Sequence, residues 1–195
     1  MSVLLRSSEI TKKPVVTYGG EDVAQIKDVV YGANGGHVEG FTLAGRGLFA
    51  GPLKTAIAWS SVVGLGPDAV IIADESSLVP TDAMLESAVA SGAAPGGGDV
   101  LGSQVLTDDG TALGTVVDVI IEVSKSEQAD VVGYEIDPAE SLGRGKNRLL
   151  IPLPDTLAAS GEHLIVPAAA RDFVRDDLAG FGAAVEDFRA RIKGQ

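Results

Sequence analysis

The chain has 195 residues, of which 45% are hydrophobic and 5% aromatic, and its formal net charge at pH 7 is −12. This hydrophobic content is sufficient for one or two packed cores and excludes wholesale disorder. The 27 acidic residues outnumber the 15 basic ones, so the overall field repels polyanions and disfavours nucleic acid as a partner.

The composition also limits where the protein works. The chain contains no cysteine, which excludes disulfides and thiolate metal sites and fits a reducing cytoplasm. Its N-terminal residues, MSVLLRSSEITKK, lack the long apolar core of a secretory signal, and its longest apolar runs are too short to span a membrane. The sequence therefore predicts a cytoplasmic protein with no membrane span.

Five short strands are predicted in the first part of the chain, because short apolar runs alternate there with glycine-rich turns. The strands are Val15–Thr17, Val23–Tyr31, Val38–Leu43, Thr55–Trp59 and Ala69–Ala73. Short strands with such turns are typical of a small β-barrel, which protects its edge strands by closing on itself.

A helix and a linker are predicted next, between Pro80 and Asp99. Pro80 with Thr81 forms a helix start, and the run from Ser91 to Gly98 ends the helix and is typical of a flexible linker. Helical spacing is shown by the apolar residues Met84, Leu85, Ala88 and Val89.

A second set of strands repeats the first. These strands are Val105–Thr107, Leu113–Val123, Val131–Ile136, Arg148–Leu153 and His163–Val166. The stretch VVTYGGEDVAQIKDVVY aligns without a gap with VLTDDGTALGTVVDVII at an offset of 90 residues, and the offset then drifts to 93 and 94. Such a drift indicates short insertions in loops, so the sequence predicts two structural copies of one barrel.

The chain ends in a heptad-like apolar stripe, which predicts an amphipathic helix weakened by Gly180 and Gly182. The stripe can pack on its own barrel or form a contact between two chains in a homodimer. Its members are Val174, Leu178, Phe181, Val185, Phe188 and Ile192.

The predicted fold is therefore mainly β, with two tandem small β-barrels, a linker helix and a C-terminal amphipathic helix. The predicted segments are a first barrel at 1–79, a helix and Gly/Pro linker at 80–98, a second barrel at 99–167 and the final helix at 168–195.

Four motifs of the second copy, GTVVDVIIE, VVGYEI, LLIPLPDTL and HLIVPAA, resemble the PRC-barrel family in their order. The first copy departs from the pattern, with Ala24 at the glycine and Ala58 with Trp59 at the proline, but it keeps AQIKDVVY and VEGFTL. The matching residues of the second copy are Gly114, Val116, Asp118, Gly133, Ile151 and Pro152.

This resemblance implies a small barrel that acts as a docking or scaffolding module without an activity of its own. We therefore predict a non-catalytic protein-interaction adaptor with a protein partner and no cofactor. The alternative is an RNA- or ribosome-associated accessory factor, because the family includes the C-terminal domain of the 16S rRNA maturation factor RimM. That factor's N-terminal domain has no counterpart in this sequence.

The chemistry-bearing residues give no catalytic constellation. His37 and His163 occupy different strands and have no cysteine nearby, so no metal site is predicted. Asp28 and Asp118 recur at the same position of both copies, which favours a structural role over acid–base work. No serine has a nucleophile elbow or a recurrent histidine partner, and Trp59 is expected in the core.

Two Gly-Arg-Gly loops, in LAGRGLFAGPLK and SLGRGKNRLL, join strands three and four of the two copies. Their glycines are typical of chain reversals, and the apolar pair of the first loop can fold inward. Alternatively the loops form a docking surface in which apolar anchors and basic side chains recognise an acidic or carboxylate-bearing partner. The candidate partner-binding residues are Arg46, Leu48, Phe49, Arg144, Lys146 and Arg148.

Overall fold

The computed structural model describes residues 3–32, 36–47, 49–90, 100–124, 128–143, 147–153, 158–159 and 162–194. They form two compact units. The first unit contains Ser7–Gly98, and the second contains Met1–Arg6 and most of the chain from Asp99 onward. Each unit is built around one seven-stranded sheet.

The elements of the first unit follow a short N-terminal strand, β1 (Val3–Arg6), which belongs to the second unit. The first-unit elements are α1 (Ser7–Ile10), β2 (Pro14–Thr17), β3 (Asp22–Tyr31), β4 (Val38–Ala44), β5 (Pro52–Ala58), β6 (Val62–Leu65), β7 (Val70–Ile72), β8 (Leu78–Pro80) and α2 (Thr81–Ala90). Short 3-10 helices occupy Trp59–Ser61 and Glu75–Ser77.

The second unit continues the chain with the remaining elements. These are β9 (Gln104–Thr107), β10 (Ala112–Val123), β11 (Ala129–Pro138), β12 (Leu149–Pro152), β13 (Ala158–Ala159), β14 (His163–Val166) and α3 (Leu178–Lys193). Short 3-10 helices occupy Glu140–Leu142 and Ala168–Phe173. The predicted strands are thus present in both copies, with ends that differ by a few residues.

The two sheets follow the same path. The strand order β6-β7-β2-β3-β4-β5 of the first unit corresponds to β13-β14-β9-β10-β11-β12 of the second. In each unit one pair is parallel, β2 with β7 and β9 with β14, whereas the other pairs are antiparallel. The predicted repeat is therefore confirmed strand by strand.

The local reason for this repetition lies in alternation and in the turns. Val15 and Thr17 are buried in β2, as Val105 and Thr107 are in β9, because alternate residues of a strand point to the same face. The turns that follow β2 and β9 each contain a residue with positive φ. These residues are Gly20, with φ 84°, and Gly110, with φ 82°.

The helix α2 packs on the first unit, where the sequence had predicted only a helix attached to a linker. The preceding strand β8 pairs with β5, so that Ala56 faces Val79 across the pair. In the second unit the residue equivalent to Ala56 is Leu150, which forms an isolated antiparallel bridge with Arg175 just before α3. The two helices therefore occupy equivalent places in the two copies.

A glycine in strand three makes room for each helix. A Cβ on Gly40 would lie 2.1 Å from the Ile57 carbonyl oxygen of β5 and 2.9 Å from the Met84 sulfur of α2. A Cβ on Gly133 would lie 2.4 Å from Cζ of Phe181 in α3 and 2.5 Å from the Ile151 carbonyl oxygen of β12. Gly40 and Gly133 correspond at the 93-residue offset. In the structure each helix therefore covers the sheet of its own copy.

The C-terminal stripe is buried within the second unit. Phe181, Val185 and Phe188 are all at least 97% buried, which agrees with a helix packed on its own barrel. Val174 is buried too, but it lies before the helix. The helix begins at Leu178, and Asp177 caps its N-terminus by accepting a hydrogen bond from the Gly180 amide.

The N-terminal strand is placed differently from the predicted first barrel at 1–79. β1 pairs antiparallel with the last third of β10, from Val3 opposite Val123 to Arg6 opposite Ile120. Leu4 packs against the cluster of the second unit that contains Phe181. This apolar strand thus packs with the core of the second unit, and the first compact unit begins at Ser7.

Candidate partner-binding loops

The loop between β4 and β5 is braced by its own backbone. The Gly45 amide donates to the Gly51 carbonyl at 3.1 Å, and the Ala50 amide donates to the Gly47 carbonyl at 3.1 Å. Gly47 has φ 103°, a conformation that other residues rarely adopt. The glycines of this loop therefore make the chain reversal, as the sequence predicted.

Phe49 lies in this loop with its side chain fully exposed to water. Its relative exposure is 101%, and the nearby Leu53 is 37% exposed. The reading in which Phe49 folds inward is therefore wrong for this loop. Leu48, the other predicted anchor, lies outside the described residues.

Arg46 points back to its own sheet. Its guanidinium donates to the Asp22 carbonyl at 3.1 Å and pairs with Asp22 Oδ2 at 3.0 Å, while its side chain remains 59% exposed. The contact fixes the start of the loop to the start of β3. Arg46 thus carries a local charge that Asp22 already balances in part.

The corresponding loop of the second unit is built differently. It begins with the 3-10 helix Glu140–Leu142, which ends at Gly143 with φ 60°. Arg144 and Lys146 lie outside the described residues. Arg148 is described, and it pairs with acids of its own unit, with Nη1 3.4 Å from Glu135 Oε2 and Nε 3.9 Å from Asp137 Oδ1.

Glu135 is the centre of a buried charge cluster that the sequence reasoning missed. It is 6% exposed and accepts a hydrogen bond from Arg6 Nε at 3.0 Å, in addition to the Arg148 contact. Its register partner across the strand pair is Asp118, which is 5% exposed. The sequence contained a signal for this cluster. At the 93-residue offset Glu135 corresponds to Thr42, so the second copy has a charged residue where the first has an uncharged one.

The recurring aspartates have different surroundings in the two copies. Asp28 is exposed, shares a hydrogen bond with the Thr42 hydroxyl and pairs with Lys27. Asp118 is buried and accepts the amide of Val119 at 2.8 Å. Both follow a register shift in the pairing of strands two and three, which agrees with a structural role at a bulge.

The histidines and Trp59 show no site. His37 lies 2.9 Å from Glu39, and His163 is exposed on β14. No group of three or more metal-ligating side chains occurs among the described residues. Trp59 is half-buried, contrary to a full core position, and packs edge-on to Phe41 with the ring centroids 6.0 Å apart.

Tyr134 stands in the second unit where the first has Phe41. Burial raises the pKa of its phenol to about 12, because the charged form would lose its hydration. The phenol therefore stays protonated and uncharged at physiological pH.

A mainly β chain with one strand path used twice is a tandem-repeat barrel protein. The family model of the PRC-barrel domain matches residues 3–79 and 96–172, and the chain belongs to this family. The fold of two tandem β-barrels is thereby confirmed. No curated protein matches the chain significantly. Among the described helices, none is long and apolar enough to cross a membrane.

Proposed function

We propose that the protein is a non-catalytic adaptor whose β4–β5 loop docks a partner protein through Phe49. The full exposure of this phenylalanine on a hydrogen-bonded loop is the observation that carries the proposal. PRC-barrel domains generally have no catalytic activity, which agrees with an adaptor. The cysteine-free composition supports a cytoplasmic location for this role.

Burial of Phe49 in a partner's pocket would be favourable. Transfer of a phenylalanine side chain from water to an apolar environment contributes about 1.5–3 kcal/mol. The hydrogen bonds of Gly45 and Ala50 hold the loop before binding, so that less conformational entropy is lost on docking. An aromatic side chain on such a preformed loop has the properties of a binding hot spot.

The charge around Phe49 indicates the kind of pocket. The stretch from Leu43 to Lys54 contains Arg46 and Lys54 but no acidic residue, on a chain of net charge −12. Asp22 offsets part of the charge of Arg46, and Lys54 adds a second positive charge to the loop. Both basic side chains are exposed. A partner pocket with an acidic rim therefore complements this loop and would be steered toward it. Leu48, Arg144, Lys146 and Arg148 remain predicted members of the docking surface.

The test is capture of a partner by the immobilised protein, followed by a binding measurement with the purified partner. Phe49→Ala should weaken binding by about 2 kcal/mol or more, as expected for a buried aromatic anchor. Tyr18→Ala is the matched control, because Tyr18 is an aromatic residue that is 70% exposed on another turn of the same unit. The melting temperature of both variants should stay within a degree or two of the parent, because surface changes usually stay within about 0.5 kcal/mol.

Three results would count against the proposal. Unimpaired binding by Phe49→Ala would contradict the docking role of the loop, and so would equal losses in the two variants. Capture that disappears with nuclease and with moderate salt would instead favour the RNA- or ribosome-associated alternative.

A further inference from the structure

The N-terminal strand is held at the edge of β10 by few contacts. β1 has four residues, pairs with one strand and lies off the main path of the sheet. It is followed directly by α1, which belongs to the first unit. A short strand that is paired on one side only opens more readily than the central strands of a sheet.

Two side chains of β1 make specific contacts with the second unit. Leu4 packs on the cluster that contains Ile120 and Phe181, and its Cδ1 would be 3.6 Å from a Cβ on Gly182. Arg6 binds Glu135 Oε1 through Nε at 3.0 Å and Nη2 at 2.9 Å. These contacts define a slot for one apolar and one basic residue on an extended strand.

Opening of this slot does not leave a bare buried carboxylate. Glu135 keeps the contact of its other oxygen with Arg148, whose side chain is 59% exposed and can follow the carboxylate. An unpaired charge at a buried position is costly, so the second arginine lowers the cost of releasing β1. Release of β1 would nevertheless expose apolar surface of Ile120, which is fully buried in the structure, so rebinding of a strand is favourable.

We propose that this slot at Ile120–Val123 also accepts β1 from a second copy of the chain, so that two copies exchange their N-terminal strands. The exchanged strand would use the same register and would place its Arg6 on Glu135 of the other copy. No new contact has to be formed, because an exchange of identical elements reproduces those seen within one chain. The occupant is the strand that the structure already shows to fit.

The absence of cysteine makes a direct test possible in the full-length protein. Val3 and Val123 face each other across the strand pair, and Val3 is 54% exposed. A chain with Val3→Cys is mixed with a differently tagged chain carrying Val123→Cys, and the mixture is oxidised. A disulfide between the two chains then reports a strand of one copy in the slot of the other.

Two controls calibrate this reaction. The double variant Val3→Cys, Val123→Cys should close a disulfide within one chain, which checks the register. A chain with Val63→Cys, at a position 50% exposed in the first unit, measures random collisions with the Val123→Cys chain. We expect the Val3→Cys mixture to form the disulfide several-fold more than this collision control.

Arg6 distinguishes exchange from random collision. Arg6→Ala in the donor chain with Val3→Cys removes the same contact with Glu135 from the closed and the exchanged arrangement, but it lets the donor strand leave its own slot more readily. The interchain disulfide should therefore form several-fold faster, whereas the same change in the Val63→Cys chain should leave the collision rate unchanged.

The proposal is overturned if the yield does not exceed the Val63→Cys control, or if the double variant fails to close within one chain. It is also overturned if Arg6→Ala in the donor leaves the rate of disulfide formation unchanged, or speeds the Val63→Cys collision control equally. A faster reaction of the Val3→Cys chain alone supports exchange.

Discussion

The two units share one strand path, but the helix that packs on each sheet contributes different buried side chains. In the first unit a ten-residue helix places Met84 and Ala88 on the sheet, whereas in the second a sixteen-residue helix places Phe181, Val185 and Phe188 there. Both sets of buried side chains depend on a glycine in strand three. The comparison shows that a helix belongs to each repeated unit, although the length of the helix and its buried side chains differ between the two units.

The largest difference should appear when the equivalent helix residues are truncated. Phe181→Ala should lower the stability of the second unit by about 3–5 kcal/mol, because a fully buried ring leaves a large cavity. Met84→Ala should cost the first unit about 2 kcal/mol, at the lower end for a buried methionine. Hydrogen exchange measured on β3 and β10 reports each unit separately. Equal losses would break the comparison.

The charge cluster gives the next effect. Glu135→Gln should destabilise the second unit by about 2 kcal/mol, because Arg6 and Arg148 lose a charged acceptor in a buried position. The equivalent change in the first unit, Thr42→Val, should cost about 1 kcal/mol or less, because the two hydrogen bonds that it removes, to the amide and the carboxylate of Asp28, are both exposed to solvent. Urea unfolding of both variants measures the two losses, and a larger loss for Thr42→Val would contradict this assignment.

A smaller effect is expected two residues before β2 and β9, the corresponding strands of the two units. Lys12 has φ 70°, and its counterpart at the 90-residue offset, Gly102, has φ 83°. Their amides make equivalent bonds, to the carbonyls of Ile26 and Val116. Lys12→Gly should therefore stabilise the first unit by about 0.5 kcal/mol, since relief of left-handed strain exceeds the added freedom of the unfolded chain.

The reciprocal change sharpens this prediction. Gly102→Ala should destabilise the second unit by about 1 kcal/mol, and the cause is backbone strain alone because a Cβ there meets no atom within 4 Å. Thermal unfolding of the two variants should shift in opposite directions. Shifts of the same sign would mean that the two positions are not equivalent.

The smallest predicted effect is a difference in acid sensitivity at the first turn. Hydrogen bonds from the Thr107 side chain, and then from Thr111, lower the pKa of Asp109 to about 2, and Arg171 contributes as well. The first unit has Gly19 at this place. Because the folded pKa is depressed, the contribution is full above about pH 4 and is lost as the pH falls through about 2. Stability of the parent and of Asp109→Asn should therefore converge over that range, and a constant difference would contradict the assignment.

The sequence predicted most strands because their signals are local. Alternation in β2 and β9, and glycine in the turn that follows each strand, can be read within a few residues. The equivalence of the two helices could not be read in this way, because TDAMLESAVA and LAGFGAAVED share little beyond a buried residue facing a glycine of another strand. The destination of β1 was also missed, since Arg6 and Glu135 are 129 residues apart.

The candidate site was predicted unevenly for a similar reason. Exposure of Phe49 was one of two alternatives, and only the structure of the loop could decide between them. The basic residues were expected to be open to a partner, but Arg46 and Arg148 each bind acids of their own sheet. Such pairings join residues on different strands and are not visible in the spacing of either loop.

The docking role of Phe49 is tested most directly by a photo-crosslinking residue placed at position 49, with the same residue at position 18 as the control. Both positions are exposed in the first unit. We predict that one protein partner is crosslinked from position 49 but not from position 18, and that the crosslink is suppressed by excess unlabelled parent protein but not by excess Phe49→Ala. Crosslinking that is absent from position 49, or equal from both positions, would contradict the adaptor proposed for this loop.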